Sequence, residues 1–291
     1  MDSTKRLEKT MSRIAIISDI HSNLPALEAV LCDIQKQDID RIYNLGDIIG
    51  KGPSPAECID LCKRYCDKSI LGNWEDFFLQ YDVDKGPIHY YRKNIPEEQV
   101  EFLRSLGYLI EFYLSGHLVR LFHAHPNDVY CRVFRRSELS VYSEMFDVPA
   151  TFFTVFPDRR TDIAIYGDIH FPYSIYFDEE HYKKYYEAHK GSYISYHDLC
   201  IAEQEAIERT CGRWLINAGS VGQPFDGTMA SYLILEGEMF STKKGAFSYS
   251  IRKVVYDNRY AADLALASDM SDKEEYAQEI LTGVFRGLSK E

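Results

Sequence analysis

The chain has 291 residues, a globular composition without low-complexity runs, and a formal net charge of −12. That length can bury one large core with room for an insertion, and the acidity argues against duplex nucleic acid, whose binders carry a basic face. No apolar run approaches the roughly 20 residues of a membrane span and no secretory segment precedes the first strand, so the expected setting is cytoplasmic and membrane-free.

Residues Met1 to Thr10 are polar and precede a second methionine, Met11; they read as a disordered leader or tag, or as a stretch before an alternative start. The first element is a buried strand at Ile14-Ala15-Ile16-Ile17, short, apolar and rich in β-branched residues. It stops at Ser18-Asp19-Ile20-His21, where an acid and an imidazole stand two residues apart. Asn23-Leu24-Pro25 then opens a helix expected to run to Gln37. A second strand, Arg41 to Leu45, ends at Gly46-Asp47, and a Gly/Pro turn leads to a helix carrying Cys58, Cys62 and Cys66 on one face. Those thiols read as small apolar packing residues, and seven cysteines, an odd number, fit a reducing compartment better than a disulfide framework.

A third strand, Lys68 to Leu71, ends at Gly72-Asn73-Trp74-Glu75, with a helix starting at Glu75. Asn94 is the expected cap of another helix reaching about Leu106. Tyr108 to Leu114 and His117 to Phe122 read as paired strands around Ser115-Gly116, the second ending at His123-Ala124-His125. Asp162 to Tyr166 ends at Gly167-Asp168-Ile169-His170, and Arg213 to Ile216 leads into Asn217-Ala218-Gly219-Ser220-Val221-Gly222-Gln223-Pro224. Two β-rich runs, Met229 to Leu235 and Phe247 to Tyr256, precede a helical tail from Arg259. A Gly-Asp or Gly-Asn alone is most often a turn. Several strand ends that each deliver Asp, Asn or His are harder to read so, because ligands of open α/β sheets bind at carboxyl strand ends.

The series Asp19-x-His21, Gly46-Asp47, Gly72-Asn73, His123, Gly167-x-x-His170 and Asn217-x-Gly219-Ser220 resembles the calcineurin-like metallophosphoesterases over about two thirds of the chain. The closing run is similar to that of their small bacterial and archaeal phosphodiesterase branch, with a narrower similarity to bacterial diadenosine-tetraphosphate hydrolases. The resemblance implies an α/β (α+β) fold: a four-layer αββα sandwich of two mixed β-sheets flanked by helices, with a helical cap insertion. The core would be residues 11–170 and 212–256, the cap 171–211, and C-terminal helices 257–291.

The resemblance also implies two divalent or trivalent cations, manganese and/or iron. Asp19, His21 and His170 would hold the first, Asn73 and His123 the second, and Asp47 would bridge them. The chemistry stands without the name: a cation pair about 3.5–4 Å apart needs a bridging carboxylate plus hard oxygen and imidazole donors, and it turns water into a bridging hydroxide nucleophile. The expected activity is hydrolysis of phosphoanhydride or phosphodiester bonds in nucleotides, with asymmetrical cleavage of diadenosine tetraphosphate the specific expectation.

Two positions depart from the family pattern. Asp168 stands where the family has a ligating His; it would bind the second cation directly or through water, with His125 in reserve. Trp74 stands where the family has a His that protonates the leaving group. A general acid is worth about 10²–10⁴-fold for a basic leaving group, and a departing phosphate, with a second pKa of about 6, hardly needs one. Trp74 would instead stack on a base, or simply pack while His125 donates the proton. Asn73 completes the expected substrate contacts, together with Arg132 and Arg135 as a phosphate clamp. Tyrosines between His170 and Arg213, among them Tyr173, Tyr176, Tyr182 and Tyr185, would line the cap or pack it onto the core or a second subunit, so a homodimer stays open. The alternatives are a phosphomonoesterase, including a phosphoprotein phosphatase, and a catalytically reduced metal-binding scaffold.

Overall fold

Alternation along β1 (Ser12–Ile17) decides what each of its faces covers. Ile14 and Ile16 enter a core shared with Ile110, Leu121, Ile163, Ile165 and Ile216, whereas Ala15 and Ile17 pack with Leu27, Val30 and Ile59. The first set lies between two sheets and the second beneath helices, which makes β1 a strand buried on both sides. The computed structural model describes residues 11–81, 86–134, 137–180 and 212–286.

Around β1 stand α1 (Leu24–Ile34), β2 (Arg41–Asn44), α2 (Pro55–Tyr65), β3 (Lys68–Ser69), α3 (Asn73–Gln80), α4 (Pro87–Asn94) and α5 (Glu97–Arg104). Then come β4 (Ile110–Leu114), β5 (His117–Leu121), α6 (Leu139–Glu144), β6 (Ile163–Tyr166), β7 (Tyr173–Phe177), β8 (Arg213–Asn217), β9 (Ala230–Gly237), β10 (Ser248–Val254), α7 (Asn258–Ala267) and α8 (Lys273–Thr282). One sheet has the order β10-β9-β1-β2-β3 and the other β4-β5-β6-β8-β7. Both are mixed: β1-β2-β3 and β5-β6-β8 run parallel, while β9, β10, β4 and β7 pair antiparallel. The parallel trios therefore send their carboxyl ends, with the Asp, Asn and His residues that follow them, to one edge of the sandwich. Two mixed sheets flanked by helices are the architecture expected from the sequence.

Several elements differ from expectation. Helix α1 keeps its Asn23 cap, whose side chain accepts from Ala26 N at 3.2 Å, but it stops at Ile34 rather than Gln37. Asn94 caps nothing: it ends α4, a helix the sequence did not announce, and donates back to Tyr90 O at 2.7 Å, while Pro96 occupies the cap of α5. Tyr173 and Tyr176, expected in the cap, lie on β7, an edge strand paired with β8. Within the expected cap, residues 181–211, with Tyr182 and Tyr185, lie outside the described residues, as do 1–10 and Arg135. Cys58 and Cys62 are buried in the helix-side core, as small packing residues should be, and burial pushes the Cys58 thiol up.

Candidate metal centre

The turns that carry the acids and imidazoles are held in conformations that side chains usually avoid. Asp19, His21, Asp47, Asp168 and His170 all have positive φ, between 48° and 62°. Left-handed backbone costs roughly 1–2 kcal/mol per non-glycine residue and persists only where surroundings fix it. Here the loops fix one another: Asp19 N donates to Gly46 O, His21 N to Asp47 O, Gly222 N to Asp19 O and Asp168 N to Asp19 Oδ2, at 2.9–3.1 Å. The approach is close enough to require glycine at position 72, where a Cβ would stand 2.1 Å from Asp47 Oδ1.

Glu75 completes this frame and was not foreseen as part of it. Its buried carboxylate accepts from the backbone N–H groups of Asp47, Ile49 and Gly72 at 2.8–2.9 Å, tying the second loop to the third. The signal is an acid three residues after Gly72, at the start of α3, where its carboxylate can reach back to the N-cap N–H. The loop after β8 contributes through Asn217 Nδ2, which donates to Gly167 O, and Ser220 Oγ, which donates to Asp19 O.

Within that frame three imidazoles converge with their orientations set. The Nδ1 atoms of His21, His123 and His170 lie 3.3, 2.9 and 2.7 Å from the carbonyls of Ile49, Leu45 and Gln223. A carbonyl only accepts, so each Nδ1 carries a proton and each ring, when neutral, presents a lone pair at Nε2. His21 Nε2 and His170 Nε2 nevertheless face each other at 2.9 Å, and His123 Nε2 lies 3.0 Å from Asn73 Oδ1. Two acceptors approach that closely only when a cation or a shared proton lies between them.

Carboxylates surround the same space. Asp19 Oδ1 is 3.3 Å from His170 Nε2, and Asp47 Oδ2 stands between two imidazoles, 3.6 Å from His21 Nε2 and 3.5 Å from His123 Nε2. Asp19 with His21 and His170, and Asp19 with Asp47 and His123, form two clusters of donor atoms. Asp168 Oδ1, itself buried, lies 4.0 Å from His123 Nε2 and 3.5 Å from Nε of the half-exposed Arg132. Asp19 Oδ1 and Asp168 Oδ2 are buried without a hydrogen-bond partner among the described residues. Buried acceptors without protein donors are places for a cation or a bound water.

Electrostatics tell the same story. Burial, then the neighbouring His170, pushes His21 down to about 3, which keeps it a neutral donor. Burial disfavours charge on His123 too, but Asp47, Asp19 and Asp168 outweigh it and raise His123 to about 10. A site that draws a proton onto a buried imidazole is a site short of positive charge. Burial lifts Asp168 to about 6 against the pull of His123 and Arg132.

The other residues singled out in the sequence have different surroundings. Trp74 N donates to Asp47 Oδ1 at 2.9 Å, and its indole lies edge-on to His21, with ring centroids 6.4 Å apart. His125 turns to other partners: its Nδ1 accepts from Asn127 N at 3.2 Å and its Nε2 lies 3.6 Å from Glu144.

Residues 12–239 match the calcineurin-like phosphoesterase superfamily domain. The chain belongs to that superfamily. A protein of Methanocaldococcus jannaschii described as uncharacterized is 32% identical over 252 residues, which covers 83% of this chain and 90% of the relative. Among solved structures, a metallophosphoesterase from Sphaerobacter thermophilus has a TM-score of 0.66 at 24% identity, covering 94% of this chain and 99% of that one. A hypothetical protein from Pyrococcus horikoshii OT3 has a TM-score of 0.60 at 17% identity, covering 94% and 98%. These likenesses confirm the sandwich. The donor set described above fits the divalent cations of a metallophosphoesterase, and no helix among the described residues is long and apolar enough to cross a membrane.

Proposed function

We propose that this phosphoesterase hydrolyses phosphoanhydride or phosphodiester bonds of nucleotides at a pair of divalent cations. The observation that carries the reading is the 2.9 Å approach of His21 Nε2 to His170 Nε2, both lone pairs when the rings are neutral, beside the carboxylates of Asp19 and Asp47. Asp19, His21 and His170 would hold one cation, Asn73, His123 and Asp168 the other, and Asp47 both. When bound, such a pair supplies an activated water at neutral pH and neutralises phosphoryl oxygens, which this acidic chain cannot do by itself.

The chain's own residues divide the remaining work. The carbonyls of Ile49, Leu45 and Gln223 fix the imidazole tautomers. Glu75 holds the Asp47 turn in register with Asn73. Arg132 stands at the mouth, paired with Asp168, where its guanidinium can meet a phosphate oxygen. Trp74 occupies the position from which a histidine would protonate a leaving group, and indole carries no transferable proton at neutral pH. That favours substrates whose leaving group is itself a phosphate or nucleotide, with second pKa about 6, over alkyl monoesters. The specific substrate we propose is diadenosine tetraphosphate, cut asymmetrically to AMP and ATP.

The test is chromatography of products after incubation with manganese and dinucleoside polyphosphates. The expected result is paired nucleoside mono- and triphosphate, abolished by EDTA. Two diphosphates would overturn the asymmetrical cut, and no turnover of any nucleotide anhydride or diester with manganese or iron would overturn the whole reading.

A further inference from the structure

A cleft of about 500 Å³ opens beside the cluster, between Trp74 on one side and α8 with the residues flanking it on the other. We infer that this cleft is the nucleoside site of the enzyme: the base lies on Trp74, the ribose faces the C-terminal segment, and the phosphate passes Lys51 toward the cluster. The inference rests on the phosphohydrolase reading above and adds to it where the substrate's non-reacting end is held.

Four observations carry it. The volume is in the range of small-ligand sites, and its walls combine aromatic and apolar surface from Trp74, Tyr91, Met270 and Phe285 with a few polar groups, as such sites do. The indole of Trp74 rests on Gly50, where a Cβ would stand 2.3 Å from the ring, so one face is seated on backbone while the residue itself stays partly exposed. A seated, partly open indole is a stacking platform for a base. Lys51 Nζ lies over that ring, 5.4 Å from its centroid, and makes no ion pair among the described residues, so it turns from the ring to the phosphate when a base stacks there. Opposite, Asp272 and Glu275 offer carboxylates, which only accept, and Arg286 a guanidinium, which only donates, to the same space. The carboxylates suit ribose hydroxyls or an exocyclic amino group, and Lys51, on the wall nearer the cluster, suits the anionic end.

Both walls are joined to the cluster. Trp74 is bonded to Asp47 through its backbone N–H. Phe285 packs on Phe225 at 5.1 Å, and Phe225 stacks on His170 at 4.9 Å. The far wall, from Met270 onward, lies beyond the residues 12–239 that match the superfamily domain. The catalytic half of the site thus lies within the superfamily domain, and the half that would choose the nucleoside is built by the C-terminal segment that follows it.

The test uses the manganese-loaded protein. In a Trp214→Phe variant Trp74 is the remaining tryptophan, since the chain has two, and AMP is expected to quench its fluorescence saturably while ribose 5-phosphate does not. Absence of that quenching overturns the cleft whether or not the enzyme turns over. Separately, Ser271→Trp, at an exposed position on the cleft wall, is expected to raise KM for dinucleoside polyphosphates about tenfold or more, the size of one lost base contact. It should leave kcat/KM for methyl p-nitrophenyl phosphate, which has no base, within about twofold. An equal change for both substrates, or none for the nucleotide, overturns the proposal. Failure of the wild-type enzyme to turn over either substrate condemns the phosphohydrolase reading instead, and the quenching experiment still decides the cleft.

Discussion

Replacing Asp47 with asparagine is expected to lower kcat on every substrate by about 10³-fold, at the upper end of what removal of one preorganised electrostatic group costs. The reason is the number of jobs this carboxylate does at once. Its Oδ1 accepts from Trp74 N, while its Oδ2 stands 3.6 and 3.5 Å from the Nε2 atoms of His21 and His123. An amide can satisfy one of those demands and not both. With its nitrogen at the Oδ1 position it opposes the Trp74 N–H, donor against donor. With its nitrogen at the Oδ2 position it donates to an imidazole and no longer offers a lone pair between the two histidines. The Glu75 contact to the Asp47 backbone survives either way, so the turn keeps its shape and circular dichroism should not change. Steady-state kinetics at saturating manganese would check the loss; a fall of less than about tenfold would show that Asp47 is not shared between cations.

The second large effect concerns the leaving group. Trp74→His is expected to raise kcat for phenyl phosphate or an alkyl monoester about 10²-fold, the low end of what a positioned general acid contributes. On a dinucleoside polyphosphate kcat should change by about threefold or less, because the departing phosphate hardly needs a proton. KM for that nucleotide should rise, since the indole of the cleft is gone. The backbone of residue 74 is already fixed by its bond to Asp47 Oδ1, and its side chain now leans on Gly50 and on Tyr91, whose ring is 6.0 Å away. A smaller imidazole enters that space without a clash. An unchanged ratio of monoester to anhydride rates would sink the idea that Trp74 sets the reaction class.

The strands that end in ligands were legible because β-branched runs followed by Gly-Asp, Gly-Asn or Asp-x-His state both burial and termination in a few residues. Strand β1 carries its two-sided burial openly, and the runs around Ser115-Gly116 pair as their turn announces. Helix α4 was not legible: Ile88 and Tyr91 are its buried residues, too sparse an apolar stripe to announce a helix. Asn94 misled because a cap-forming residue before Ile-Pro looks like a helix start from either side. Edge strand β7 was hidden among tyrosines that read as cap, since an edge strand is specified by a partner far away in sequence, here β8.

In the site, residue types were readable and relations were not. Nothing in a sequence says that Gln223 offers its carbonyl to His170 or that Glu75 stands under two loops at once. Nor does it say that Arg132 is held by Asp168 while His125 faces Glu144. Those contacts join residues brought together by the meeting of two sheets. The nucleoside cleft is of the same kind, since its walls come from opposite ends of the chain.

The central claim is that separated acids, imidazoles and one amide form a single seat for two cations. Anomalous diffraction from crystals grown with manganese tests it most directly. Two peaks about 3.5–4 Å apart are expected, one beside Asp19, His21 and His170 and one beside Asn73 and His123, with the Asp47 carboxylate between them. A map with no peak among these residues, at a manganese concentration that supports turnover, would contradict it.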